Sequence, residues 1–264
     1  MDLQLEGKKA LVSGSSAGIG FAIAQALARE GASVIVNGRE AVRTKVAAKM
    51  ISDNGATAKV YPFVGDLSTA AGVEQLAAEV PDLDILVNNL GIYEPKPFQE
   101  ITDADWMRFF ETNVLSGVRL SRSYLPGMKE RNWGRIVFIS SESAVNIPVE
   151  MIHYGLTKTA QLALSRGLAE TTAGTGVTVN SVLPGPTRSE GVNDFVKKMA
   201  HERGKSPAAI EDEFFKTVRP SSLLKRFATT DEVAALVAFV CSPLSSATNG
   251  AALRVDGGVV RSIV

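Results

Sequence analysis

The sequence predicts an α/β fold of the doubly wound kind, with one parallel sheet covered by helices on both faces. Three observations predict it. Seven short runs rich in Val and Ile recur along 264 residues, with helical patterns between them. Each run is nearly continuous in apolar residues, as suits strands buried on both sides. The first run leads directly into the glycine-rich segment Ser13-Gly14-Ser15-Ser16-Ala17-Gly18-Ile19-Gly20 and then into a helix pattern beginning near Ile19.

In chain order the predicted strands are Ala10–Val12, Ser33–Val36, Lys59–Phe63, Ile85–Val87, Ile136–Ile139, Thr178–Leu183 and Ala252–Val255. Two helices announce their starts by a hydroxyl residue followed three positions later by an acid. Thr102-x-x-Asp105 opens a helix expected to run to about Arg131, and Thr229-x-x-Glu232 opens another. Residues 143–153, with Pro148, read as an extended stretch. Residues 186–228 form a long excursion carrying Phe195, Met199, Phe214 and Phe215, expected to be a lid or pocket wall. The rhythm runs end to end, so residues 1–264 read as one domain with 186–228 as its substrate lid.

Composition narrows the function. Apolar residues make up 45%, enough for one large core. Lys and Arg balance Asp and Glu, and the pI is about 6.8, so there is no broad electrostatic footprint for nucleic acid or an anionic membrane. Cys241 is the only cysteine, which rules out an internal disulfide and suits a reducing compartment. His153 and His201 lie too far apart in sequence for a His-rich metal site, and none is expected. The start, Met1-Asp2-Leu3-Gln4-Leu5, has no apolar leader core, and no apolar run approaches the length of a membrane span. A cytoplasmic protein is expected.

Gly14, Gly18 and Gly20 follow the first strand. Glycines there permit positive φ and close approach of backbone to a phosphate, and free N–H groups at the helix start bind the anion. An ordinary glycine-rich turn is the plainer alternative. The second strand ends Val36-Asn37-Gly38-Arg39. A carboxylate about 20 residues beyond such a loop selects NAD through the ribose 2′-hydroxyl. Asn37 stands there instead, and Arg39 can accept a 2′-phosphate, so NADP(H) is favoured over NAD(H), with Glu40 close enough to compete.

Downstream, Tyr154 and Lys158 are four apart and share one helix face. A phenol with a pKa near ~10 is a poor proton carrier at neutral pH. An adjacent ammonium favours the phenolate, so the pair is expected to be an acid/base device. Ser141 follows the fifth strand, at the carboxyl edge where open α/β sheets bind ligands.

Together these residues resemble the short-chain dehydrogenase/reductase family over the whole chain. Ser13 stands where the family usually has Thr. Asp66 matches its adenine-contacting aspartate, and Asn88-Asn89-Leu90-Gly91 matches its Asn-Asn-Ala-Gly motif with Leu90 for Ala. Asp66 as a helix cap and the two asparagines as turn formers are the plainer alternatives. Pro184-Gly185-Pro186-Thr187 resembles the segment flanking the nicotinamide, with Thr187 for Ile or Val, and Ser189 stands where Thr is frequent. The resemblance implies a Rossmann-type three-layer sandwich with a seven-stranded parallel sheet. It implies a cofactor site of Gly14, Ser15, Ser16, Gly18, Ile19, Gly20, Asn37, Arg39, Asp66, Leu67, Asn89, Leu90, Gly91, Tyr154, Lys158, Pro184, Gly185 and Thr187. It also implies a catalytic set of Asn113, Ser141, Tyr154 and Lys158. Tyr154 would pass the proton and Ser141 would hold the carbonyl oxygen. Lys158 would hold the nicotinamide ribose and depress the Tyr154 pKa, while Asn113 would hold a water linking Lys158 to solvent.

The expected activity is interconversion of a secondary alcohol and a ketone. Two alternatives stay open: a reductase of carrier-protein-linked 3-oxoacyl chains, disfavoured by Thr175 where such enzymes carry Arg, and a non-catalytic NADP(H)-binding regulator. Ser143, Val145, Ile147, Val149, Met151, His153 and Tyr93 are expected to line or flank a small-molecule pocket under the excursion. Family analogy implies a homotetramer assembled through the helices that carry Asn113 and Tyr154, with Ala251–Val255 near another interface.

Overall fold

The computed structural model describes residues 2–263; Met1, Val264 and the side chain of Phe195 lie outside the described residues. The elements run β1 (Lys9–Val12), α1 (Gly18–Arg29), β2 (Ser33–Gly38), α2 (Ala41–Asp53), β3 (Val60–Val64), α3 (Ala70–Glu79) and β4 (Ile85–Asn88). Then come α4 (Asp103–Phe110), α5 (Ser116–Glu130), β5 (Gly134–Ile139), α6 (Ile152–Glu170), β6 (Val177–Pro184) and β7 (Thr187–Arg188). The chain closes with α7 (Glu190–Arg203), α8 (Pro207–Thr217), β8 (Ala228–Thr229), α9 (Thr230–Cys241) and β9 (Ala252–Val255).

All seven predicted strands form and pair in parallel in the order β3-β2-β1-β4-β5-β6-β9. Side-chain alternation divides the core into two layers. Ala10, Val12, Val34, Val36, Ile85 and Val87 face α1, α2 and α9. Leu11, Ile35, Leu86, Ile136 and Phe138 face α3, α5 and α6. The five inner strands are buried on both faces and so are mostly apolar at successive positions, which made them readable as runs, whereas the edge strands β3 and β9 are partly exposed, contrary to expectation.

The chain steps from β1 outward to β3, then crosses back to β4 on the other side of β1. The connections after β1 and β4 therefore diverge and leave a crevice at the carboxyl edge. Both capping boxes form, Thr102 with Asp105 and Thr229 with Glu232.

Two features depart from expectation. The helix expected to run from Thr102 to about Arg131 is interrupted at Glu111–Leu115 by a π-turn, where Ser116 N bonds to the Glu111 carbonyl five residues back. The excursion also makes a second sheet, β7 beside β8, which closes its neck. Above that neck α7 and α8 bury Val196, Ala200, Ile210 and Phe215 with Phe227 in a core of their own.

Candidate active site

The glycine loop is braced from both sides of the switch point. Gly14 and Gly18 have φ of +62° and +61°, a left-handed conformation that glycine adopts without strain. Gly20 permits a close approach: a Cβ there would lie 2.4 Å from Asn89 Nδ2 and 2.6 Å from the Gly14 carbonyl. From the β4 side, Asn89 Nδ2 donates to the carbonyls of Ser13 at 2.9 Å and Gly14 at 3.0 Å. Ser13 Oγ accepts from the backbone N–H groups of Asn89 and Leu90, each at 3.0 Å.

Asn37 braces the loop from the β2 side. Its Oδ1 accepts from Gly14 N at 3.0 Å, and its Nδ2 donates to the carbonyls of Phe63 at 3.3 Å and Gly65 at 3.0 Å. Ser15 Oγ accepts from Asn37 N at 2.9 Å and donates to Val12 O at 2.6 Å. Asn37 is therefore a buried strut and not, as expected, a group presented to a cofactor. The physical reason is that every polar atom of its side chain already has a protein partner. The Leu67 side chain is buried in the core beneath α3 and α5, which leaves only its backbone to serve the cofactor site expected of it.

Three other positions at this end remain accessible. Arg39 is 74% exposed and 3.9 Å from Asp66, whose other carboxylate oxygen accepts from Ser68 N and Oγ. The competing Glu40 carboxylate caps α2, accepting from Val42 N at 2.9 Å and Arg43 N at 2.6 Å. Side chains cap α2, α3, α4, α7, α8 and α9, whereas none caps α5 or α6, and none caps α1. Its first N–H groups have no side-chain acceptor, as an anion site at a helix start requires.

From this loop a cleft of about 960 Å³ extends under the excursion. Ile19, Asn89, Gly91, Ser141, Tyr154, Lys158, Pro184, Gly185 and Thr187 all line it, so residues from five separate segments converge as predicted. Val192, Val196, Met199, Ile210 and Phe214 roof it. Tyr93, Ser143, Val149 and Met151 contribute to the wall, but Val145 and Ile147 turn outward and are 51% and 43% exposed. His153 neither lines nor flanks the cleft. It is fully buried, 4.0 Å from Phe109 and 5.9 Å from Trp106 between ring centroids, and neither ring nitrogen has a partner.

Tyr154 and Lys158 sit on α6 with the ammonium 5.6 Å from the phenol ring centre. The expected electrostatic effect is reversed in this structure. Burial pushes the Tyr154 phenol up to about 12, which a contact with Ser141 partly offsets and Glu142 and Tyr93 reinforce. Burial also pulls the Lys158 ammonium down to about 7. Desolvation is the dominant cause for both groups, and it is set by depth and not by spacing. A neutral phenol is the form that can donate a proton.

Lys158 Nζ donates to the Ile139 carbonyl at 2.9 Å and to Gln161 Oε1 at 3.3 Å. The Asn113 side chain is consumed structurally: Oδ1 accepts from Ile92 N at 2.8 Å, and Nδ2 donates to Ile92 O and Thr157 Oγ1, each at 3.0 Å. Its backbone carbonyl accepts from Gln161 Nε2 at 2.6 Å.

Sequence reasoning missed three site residues. Gln161 was findable, since it lies three residues beyond Lys158 on the same helix. Glu142 and Arg219 were not. Arg219, from the end of the lid, donates through Nε to Glu142 Oε1 at 2.9 Å and through Nη1 to Glu150 at 3.4 Å. Glu142 Oε2 is buried without a partner, and burial raises its carboxyl above the usual range.

A family model described as enoyl-(acyl carrier protein) reductase matches residues 14–260. The chain is 49% identical over 263 residues to the uncharacterized oxidoreductase YvaG of Bacillus subtilis, covering all of both chains. The chain belongs to the short-chain dehydrogenase/reductase family. It is 33% identical to D-beta-hydroxybutyrate dehydrogenase of Cupriavidus necator, with 97% of this chain and 99% of that one covered. It also superposes with a TM-score of 0.93, at 30% identity and full coverage of both chains, on L-sorbose reductase of Gluconobacter frateurii complexed with NADPH and L-sorbose. Membership of the short-chain dehydrogenase/reductase family makes the protein an oxidoreductase that uses a nicotinamide dinucleotide to interconvert alcohol and ketone.

Proposed function

We propose that the protein is an NADP(H)-preferring dehydrogenase/reductase acting on CH–OH groups of small molecules, with Tyr154 as the proton carrier. One observation carries the reading: Tyr154, Ser141 and Lys158 border one cleft with Ile19, at the start of α1, and with Asn89, which braces the glycine loop, under the roof formed by 186–228. The loop fits a dinucleotide. Its backbone leaves no room for a Cβ at Gly20, and the α1 N-terminus lacks a side-chain acceptor. Gly14, Ser15, Ser16, Gly18, Ile19 and Gly20 would hold the phosphates. Asp66 would meet the adenine, with Asn89, Leu90 and Gly91 behind the sugar and Pro184, Gly185 and Thr187 beside the reactive ring.

When bound, such a cofactor supplies or receives the hydride. The protein's own residues do the rest. Ser141 Oγ holds the substrate oxygen, where negative charge grows in the transition state. Tyr154 delivers its proton to that oxygen in reduction and takes it back in oxidation. Lys158, whose Nζ donates to Ile139 O, points toward Gly91, where a ribose hydroxyl would lie; a Cβ on Gly91 would be 3.4 Å from Nζ.

Preference for the 2′-phosphate rests on Arg39 being exposed and loosely paired while Glu40 is turned onto α2. The NADPH named with L-sorbose reductase agrees with it. Among the described residues no helix is long and apolar enough to cross a membrane. Met107 on α4 and Leu156 on α6 are 64% and 48% exposed, which favours a homotetramer packed through those helices.

Purified protein incubated with a panel of carbonyl compounds should consume NADPH with at least one of them. The Tyr154→Phe variant should lose about 10²–10⁴ in turnover while binding NADPH as before. An undiminished rate in that variant removes Tyr154 from the mechanism, and tight NADPH binding with no turnover of any compound makes the protein a regulator.

A further inference from the structure

The amide of Gln161 lies between two members of the proposed proton-transfer group, and nothing in the reading above requires it. Gln161 is 2% exposed. Its Oε1 accepts from Lys158 Nζ at 3.3 Å, and its Nε2 donates to the Asn113 carbonyl at 2.6 Å. The Asn113 side chain is already committed to Ile92 and Thr157, and its backbone carbonyl is the acceptor that takes the Gln161 amide. That carbonyl belongs to the π-turn Glu111–Leu115, a local widening of the helix that reoriented backbone groups often exploit at functional sites.

We propose that Gln161 is a positioning residue, an amide clamp that fixes the Lys158 ammonium against the π-turn carbonyl of Asn113. With Ile139 O and Gln161 Oε1 taking two of its hydrogens, the third is directed toward Gly91 and the cleft. A side chain thus makes a link that would otherwise need an ordered water. The clamp has a chemical consequence beyond packing. An acceptor on Nζ favours the charged lysine, so Gln161 opposes the burial that draws the ammonium down to about 7.

The other groups facing Lys158 are few. Tyr154 on its own helix is the titratable one, β5 presents the Ile139 carbonyl, the β4 loop presents Gly91, and the π-turn presents the uncharged Asn113. No carboxylate contributes to its titration, so changes at position 161 should be read out cleanly.

The proposal rests on Lys158 belonging to the catalytic group, and its test is made without turnover so that the two can fail separately. Full-length protein labelled with ¹⁵N/¹³C-lysine is titrated by NMR without nucleotide, and the Lys158 signal is assigned by its loss in Lys158→Arg. In Gln161→Met, similar in volume but without either polar atom, the midpoint should fall by roughly one unit. In Gln161→Glu it should rise by about one unit or more, because a carboxylate replaces the amide oxygen. Opposite shifts support the clamp. An unmoved midpoint, or shifts in the same direction, overturns it, because a purely space-filling residue has no sign to reverse. Should Gln161→Met fail to fold, the Gln161→Glu midpoint alone decides. A Tyr154→Phe enzyme with full activity would defeat the catalytic reading while leaving this titration interpretable.

Discussion

Replacing Asn37 with Ala separates a strut from a ligand group. The change removes the acceptor of the Gly14 N–H and the donor shared by the Phe63 and Gly65 carbonyls. The bond to Phe63 O is wholly buried, and the other two are partly buried. A buried polar group left without a partner costs about 1–3 kcal/mol, less where water can enter. One full loss and two partial ones come to roughly 2–4 kcal/mol. For a domain of this size that lowers Tm by about 5–15 °C. The expected assay is urea unfolding of the nucleotide-free protein, followed by the fluorescence of Trp106 and Trp133. Asn37→Asp should be worse still, since a carboxylate would face the Phe63 and Gly65 carbonyls. If Asn37→Ala unfolds at the wild-type urea concentration and merely binds nucleotide more weakly, the strut argument is wrong and Asn37 is a ligand residue.

Arg39→Ala should weaken NADPH binding far more than NADH binding, measured by fluorescence titration of each; equal losses would leave the 2′-phosphate unrecognised by Arg39. Arg219→Met should cost about 3–5 kcal/mol by stranding the Glu142 carboxylate in the interior. The loss should shrink as pH falls and Glu142 takes up a proton. Adding Glu142→Gln should recover most of the stability, and no recovery would show that the pair is not what Arg219 contributes. His153 is held neutral, its pKa lowered from 6.5 chiefly by burial. Because the unfolded chain then binds the proton more readily, this residue withdraws stability as pH drops below about 6.5 and is silent above it. Thermal melts of His153→Leu should therefore depend less on pH between 7 and 5 than the wild type, and parallel curves would contradict the assignment.

What could be read from sequence follows from what is local. Ala10–Val12 and Ile136–Ile139 were legible because strands covered on both faces must be apolar at consecutive positions. The Thr102 and Thr229 caps were legible because a capping box is complete within four residues. Ser141, Tyr154 and Lys158 were placed by their intervals, and they do meet at one cleft. The failures share the opposite property. The sign of the Tyr154 perturbation depends on how deeply the hydroxyl sits, and helical spacing says nothing of depth. Asn37 looked like a ligand because its position does, yet its partners lie on a loop 23 residues upstream and a strand end 26 residues downstream. The Arg219–Glu142 pair spans 77 residues and comes from a segment whose path only packing determines. The π-turn around Asn113 leaves no compositional trace that the helix pattern exposes.

The two halves of the cleft differ in how they are tied down. On the nucleotide side, Ser13, Asn37 and Asn89 lock three loop segments to one another through seven side-chain hydrogen bonds. The roof is tied by two residue pairs at β7–β8, by Arg219, by the Arg43–Glu190 ion pair and by the Leu223 and Leu224 N–H groups on the Gly257 carbonyl, while its own small core travels with it. A framework divided in this way can exchange its roof without disturbing its socket. If the roof is the substrate lid proposed above, changes confined to α7 and α8 should alter which substrates fit while leaving the proton-transfer group beneath in place.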